Sequence, residues 1–227
     1  LKRTLYNPYK EIPLTQIVPT EDDDFFRYSK LHGYVHDEGA AMLGGVSGHA
    51  GLFSNSYELA VILQTMIQGG LYDDQHLFSS DSFDLFNKCY YCDKENRSGV
   101  GFDKPQIEGK HGSTFGGVSK NSFGHYGYTG SMAWADPDEK IIFIFLSNRT
   151  FPTRENTLLQ KSNIRTRSQE IVYKSLIKYG TSNNQSMTIG KERFQFTAEI
   201  LKKIDKELAI AKLDKSLTMY TKADKDW

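Results

Sequence analysis

Cysteine is almost absent: the chain of 227 residues has two, together in Cys89-Tyr90-Tyr91-Cys92. A disulfide-dense scaffold is therefore excluded, and so is a four-cysteine zinc site, since no second pair exists. No βαβ pattern surrounds the pair, so two thiols beside a helix end is the plainer reading than a redox site. Long apolar runs are also missing. The strongest, residues 141–146, is strand-sized and far short of the roughly 18 residues a membrane span needs. Net charge is lacking too: 28 basic and 28 acidic side chains cancel. No global field argues for nucleic acid or an anionic membrane surface as a partner. No secretory leader is visible, and the first residue is Leu1 rather than Met. The start is expected to be a processing site or a cut in a longer protein.

What the chain does have is a globular composition. Hydrophobic residues make up 38%, and the 14 Phe and 13 Tyr stock a core. Residues 1–50 look loop-like. They hold Pro8, Pro13 and Pro19 of the six prolines, the acidic run Glu21-Asp22-Asp23-Asp24 and many glycines. Asn55 and Glu58 have capping-box spacing. Leu59, Ile62, Leu63, Met66 and Ile67 then follow the stripe of a core-facing helix, stopped by Gly69-Gly70. A short helix is expected at 81–88, loop chemistry at 93–121, and strands at 122–128, 131–135 and 141–147, with a turn at 136–139. The strand at 141–147 is apolar on both faces, which predicts a central position covered on both sides. A helix at 163–179 carries Ile164, Ile171, Val172 and Leu176 on one face and stops at Gly180. Residues 181–227 read as a polar linker and a helical tail, with 194–215 able to form a helix. The order predicts an α+β fold, an antiparallel sheet covered by helices, too thin to be whole.

Three stretches stand out. The first, Gly33 to Ser54, reads GYVHDEGAAMLGGVSGHAGLFS. His36, Asp37, Glu38 and His49 look like a metal set, but the histidines are thirteen positions apart and no i, i+4 spacing exists. Structural hydrogen-bonding histidines are the better reading, with no metal expected. The second, SFGHYGYTGSMAWADP, begins at Ser122. The third, FIFLSNRTFP, begins at Phe143.

Together with GVGFDKP at 99–105, these stretches occur in the order of the second half of a class C β-lactamase and penicillin-binding type serine hydrolase. The chain resembles that family over roughly residues 1–180. It is most similar to the β-lactamase-like modules fused to family 3 β-N-acetylglucosaminidases. The resemblance implies a serine in an S-x-x-K motif, a Y-x-N motif that assists proton transfer, and a K-T-G or H-T-G strand along the acyl-binding cleft. One oxyanion N–H would come from the serine and one from the residue after the H-x-G. It implies no cofactor, a peptidoglycan-like or ester substrate, and a periplasmic or extracytoplasmic setting.

On that resemblance His125-Tyr126-Gly127 occupies the H-T-G position. His125 and Tyr128 would be catalytic, His125 in place of the lysine and Tyr128 through its backbone N–H. Tyr126, Gly127, Thr129 and Gly130 would contact substrate. Tyr126 departs from the family, which has Thr or Ser there. S-x-x-K and Y-x-N are not found before His36. Ser175-Leu-Ile-Lys178 fits S-x-x-K by letter, but in the wrong order. The implied partner is therefore the N-terminal half of the same domain, with a fused glycoside hydrolase as a further partner. The alternative is a non-catalytic structural or muropeptide-binding module attached to a glycoside hydrolase.

Overall fold

The computed structural model describes residues 1–94, 96–106 and 112–176. The chain divides into two units, Leu1–Gln169 and Glu170–Trp227. Of the second, the described part is the end of one helix, where Lys174 and Glu170 pair at 2.6 Å, one turn apart. The linker and helical tail expected at 181–227, and Lys178, lie outside the described residues.

The first unit opens with β1 (Leu5–Tyr6) and two short 3-10 turns, followed by β2 (Pro19–Asp23) and β3 (Ser29–His32). This corrects the loop reading of residues 1–50, because β2 and β3 form an antiparallel hairpin. The acidic run is what closes it. The Asp23 carboxylate accepts the N–H groups of Phe25, Phe26 and Arg27 and the side chain of Arg27 at 2.9–3.1 Å. Burial alone would raise its pKa. The Phe26 N–H, the Arg27 side chain and their neighbours outweigh that and hold Asp23 well below the usual carboxylate range.

Next come α1 (Glu38–Met42), capped by Asp37, and β4 (Leu52–Phe53), which pairs with β1. Helix α2 (Ser56–Ile67) starts where its cap predicts, with the Asn55 side chain accepting the Glu58 N–H at 2.9 Å. Glu58 does not complete a capping box. Its carboxylate reaches back to the chain start and takes the N–H groups of Lys2 and Arg3 and the Thr4 hydroxyl. A small hairpin, β5 (Leu71–Tyr72) with β6 (Gln75–His76), leads to α3 (Ser80–Asn87), capped by Ser79.

The main sheet is β7 (Phe123–Tyr126), β8 (Met132–Asp136) and β9 (Ile141–Phe145), antiparallel in the order β7-β8-β9. The strand expected to be central, β9, is thus an edge of the sheet among the described residues, and β8 lies in the middle. Its two apolar faces report cover above and below, not neighbours on both sides. Ile142 and Ile144 pack into a cluster with Leu63, Phe123 and Ala135, under α2 and α3, while Ile141 and Phe143 are buried on the other face. Two helices follow, α4 (Leu158–Lys161) and α5 (Ile164–Leu176).

The cysteine pair also needs correcting. Cys89 and Cys92 are bonded as a disulfide just past α3, not two separate thiols.

Candidate active site

The second and third stretches meet at one end of β7. Gly124 is pinned from outside the sheet by Asp103 of the GVGFDKP run, through bonds of 2.8 and 3.2 Å. A Cβ at Gly124 would stand 2.3 Å from the Ala133 carbonyl and 2.6 Å from the Trp134 ring, so only glycine fits there. Beyond that pin, nothing among the described residues pairs with the outer edge of β7. His125, Tyr126 and Tyr128 are all exposed along it. Strand alternation sends His125 and Tyr126 to opposite faces, and their rings lean beside each other over the edge, centroids 6.1 Å apart. The Arg165 guanidinium lies 4.7 Å from the Tyr126 ring centre.

After β7 the chain turns tightly. The Gly127 N–H donates to the Ser131 carbonyl at 2.8 Å, and the Gly130 N–H to the Gly127 carbonyl at 3.0 Å. Gly130 sits at φ +110, and a Cβ on it would come within 2.4 Å of Ser147 Oγ. Among the described residues the Tyr128 N–H has no hydrogen-bond partner, while its carbonyl accepts Arg149 Nε at 2.8 Å.

Arg149 fixes this turn. It is 6% exposed, its N–H holds the Thr129 carbonyl, and its guanidinium lies 4.2 Å from the centre of the Tyr128 ring. Nη1 is spent on the Arg154 and Asn156 carbonyls at 2.8 and 3.0 Å. The rest of the third stretch stitches this corner to β2. Asn148 donates to the Pro19 carbonyl, Thr150 to the Thr20 carbonyl at 2.9 Å, and Pro152 accepts the Asp22 N–H at 2.8 Å.

Behind Tyr128 lies an ionic cluster. The His36 ring sits 5.2 Å from the Tyr128 ring, and His36 Nε2 is 3.1 Å from Glu21 Oε2, off the hydrogen-bonding direction. Glu21, 2% exposed in β2, is gripped by Arg154 through Nε and Nη2 at 2.7 Å each. Arg154 Nη1 reaches Glu38 at 2.6 Å. Burial pushes the His36 imidazole below its ordinary value, with Glu21 opposing and Arg154 adding to the shift. Hydrogen bonding to Arg154 lowers the Glu38 carboxyl, and Glu21 in turn raises the Arg154 guanidinium. The first stretch therefore divides. His36 and Glu38 join this cluster, whereas Asp37 and His49 form a separate exposed pair at 2.9 Å. Among the described residues, no group of three or more His, Cys, Asp or Glu is placed to hold a metal ion.

The structure brings the predicted residues His125, Tyr126, Gly127, Tyr128, Thr129 and Gly130 into one edge and turn. Sequence reasoning missed Arg149, which holds that turn, and the Arg154–Glu21 pair next to it. Two of them lie in or beside the FIFLSNRTFP run. Glu21 was hidden in an acidic stretch that reads as solvated loop.

A family model described as Beta-lactamase matches residues 5–163. The chain belongs to the β-lactamase family. Its α+β sheet-and-helix arrangement is that family's fold in part. The chain is 37% identical to a protein of Escherichia coli O157:H7, and 35% identical to one of strain K12, both provisionally named D-alanyl-D-alanine carboxypeptidases. Each match covers 66% of this chain and 37% of the relative, so the chain spans little more than a third of the curated relatives it matches. A β-lactamase from Mycobacterium bovis of known structure overlays with a TM-score of 0.43 at 18% identity, covering 55% of this chain and 45% of that one.

Proposed function

We propose that this chain forms one wall of the active site of an acyl-serine hydrolase, whose nucleophile belongs to a part of the protein preceding Leu1. The observation that carries the reading is the open edge of β7 with its turn. An unengaged backbone N–H at Tyr128 lies in the turn just past the exposed His125, and that turn is held by the buried Arg149 through the Tyr128 and Thr129 carbonyls. Such a preorganised donor suits an oxyanion, because it needs no rearrangement as charge develops. In the proposed reaction a serine Oγ attacks the acyl carbonyl and the Tyr128 N–H receives the developing O⁻. The amine or alcohol then leaves with a proton, and water hydrolyses the acyl-enzyme. His125 stands where the family has a cation and would orient the substrate or pass that proton. Tyr126, Gly127, Thr129 and Gly130 would line the bound acyl chain. The provisional names of the relatives favour a D-alanyl peptide of peptidoglycan as substrate, with an ester as the broader class, in an extracytoplasmic setting.

Tyr126 favours a second reading. Its hydroxyl lies further from the backbone than that of the family's Thr or Ser, and Arg165 stacks on its ring. A module that binds muropeptide without cleaving it, or serves as a structural appendage of a glycoside hydrolase, would tolerate that change.

Labelling separates the two. A longer protein that includes the region before Leu1 is expected to react with fluorescent penicillin or a fluorophosphonate at one serine, and this 227-residue chain is not. Stoichiometric labelling of this chain would refute the wall-only reading. A longer protein that resists both reagents, yet binds muropeptide, would establish the second.

A further inference from the structure

At the far end of the same strands from the Gly127–Gly130 turn lies a cleft of about 650 Å³, within the size range of small-molecule sites. Its walls are apolar where they meet the core. Met66 and Ile67 come from the end of α2, Phe83 from α3 and Phe123 from β7. Lys104, only 8% exposed, reaches into it. Lys104 Nζ donates to Asn87 Oδ1 at 3.0 Å and to the Asn121 carbonyl at 3.1 Å, and lies 5.8 Å from the centre of the Phe123 ring.

Both acceptors are neutral. Among the described residues no carboxylate pairs with this ammonium. Asp138, which lines the cleft, is exposed and takes both hydrogen bonds of the Asn121 amide instead. A charge taken from water without a counter-charge is costly, and the third N–H position of Lys104 is left for whatever occupies the cleft. Burial accordingly pulls the amine down to about 8, with Asp138 opposing. The other charged groups along the cleft are Asp84 and Lys88 at α3 and Lys120 before β7, all exposed. With Asp138 they make two acids and two bases, which balance the rim without neutralising the floor.

We infer that this cleft binds a small amphipathic acid, an aromatic or aliphatic body carrying one carboxylate or phosphate, with the anionic group on Lys104 and the body against Met66, Ile67, Phe83 and Phe123. The complementarity has two parts, an apolar wall beside the core and one desolvated cation whose two partners among the described residues are both neutral. A charge-assisted hydrogen bond from Lys104 to the anion satisfies the second. The inference is independent of the serine-hydrolase reading, since it uses neither β7's open edge nor any residue of the turn.

The test uses the 227-residue chain. The probes are 3-phenylpropionate, its neutral match 3-phenylpropionamide, and phenyl phosphate as the phosphate arm, followed by calorimetry and by the methyl signals of Met66 and Ile67. The acid is expected to bind at least about tenfold tighter than the amide at pH 7, and to weaken about tenfold by pH 9 as Lys104 loses its proton. Lys104→Met is expected to abolish the preference for acid while leaving the far-UV circular dichroism unchanged. Stronger binding of the phosphate than of the carboxylate would assign the ligand to phosphates, and the reverse to carboxylates. Equal affinity for acid and amide, no saturable binding of either, or an acid preference that survives in Lys104→Met would overturn the inference. Should Lys104→Met fail to fold, the acid–amide difference and its pH step in the unaltered chain decide the matter.

Discussion

Arg154 serves two carboxylates at once. It grips Glu21 through a two-pronged contact and holds Glu38 with its remaining nitrogen. Glu21 is almost fully buried, so its charge depends on that arginine. Removing one partner of a buried pair is far more costly than the pair is worth, because the survivor is left uncompensated. Arg154→Met is therefore expected to destabilise the chain by about 3–5 kcal/mol in urea titrations. Adding Glu21→Gln should recover part of that loss, since it removes the stranded charge. Additive losses in the double variant would show that the two side chains do not act as a unit. His36 lies between Glu21 and the Tyr128 ring, so the cluster abuts the turn after β7. None of this was legible from the residues in order. Glu21 and Arg154 are 133 positions apart, and a run of four acidic residues normally marks a solvated face. The His125-to-Gly130 edge was legible because its residues are consecutive. Arg149, which anchors that edge, lies a whole hairpin away, beyond β8 and β9, and no local pattern tied it to Tyr128.

Elements were readable where one face is apolar and the ends carry caps. Helix α2 lies where Asn55 and the Leu63–Met66–Ile67 stripe put it, and α3 starts within a residue of its expected position. The β2–β3 hairpin was hidden because its strands hold buried charge in place of alternating apolar residues. For β9, periodicity correctly reported cover on two faces but could not report which strand lies alongside. The cysteine pairing was equally out of reach, since spacing alone does not decide between free and bonded thiols. Strand β7 depends on a single small residue. Gly124 lets the Asp103 segment and the β8 backbone approach from either side, and a methyl group there meets the Ala133 carbonyl rather than a movable side chain. Gly124→Ala is expected to cost about 2–3 kcal/mol by overpacking, and to speed amide hydrogen exchange along residues 123–126 more than in α2. Unchanged exchange in β7 would mean that this strand is not held by the close approach.

At the scale of the whole molecule, large apolar side chains lie open on several elements. Phe25 and Tyr28 project from the β2–β3 hairpin, Met42 and Leu43 from the end of α1, and Tyr57 from α2. Exposure of this kind marks surfaces that pack against something else. If the proposed preceding half of the domain is what covers them, this chain should bind a hydrophobic dye when alone. Addition of the separately produced preceding region should quench that signal in a saturable, one-to-one manner. The same titration should restore acyl-serine labelling by fluorescent penicillin, with the label on the added half, because the serine would then face the Tyr128 N–H and His125. Replacing His125 with Ala should leave the dye titration intact and reduce the restored labelling, since His125 is exposed on the open edge. Association without labelling would keep the two-half architecture and favour the non-catalytic reading that Tyr126 suggests. Absence of association would remove the basis for treating the chain as a wall completed from elsewhere.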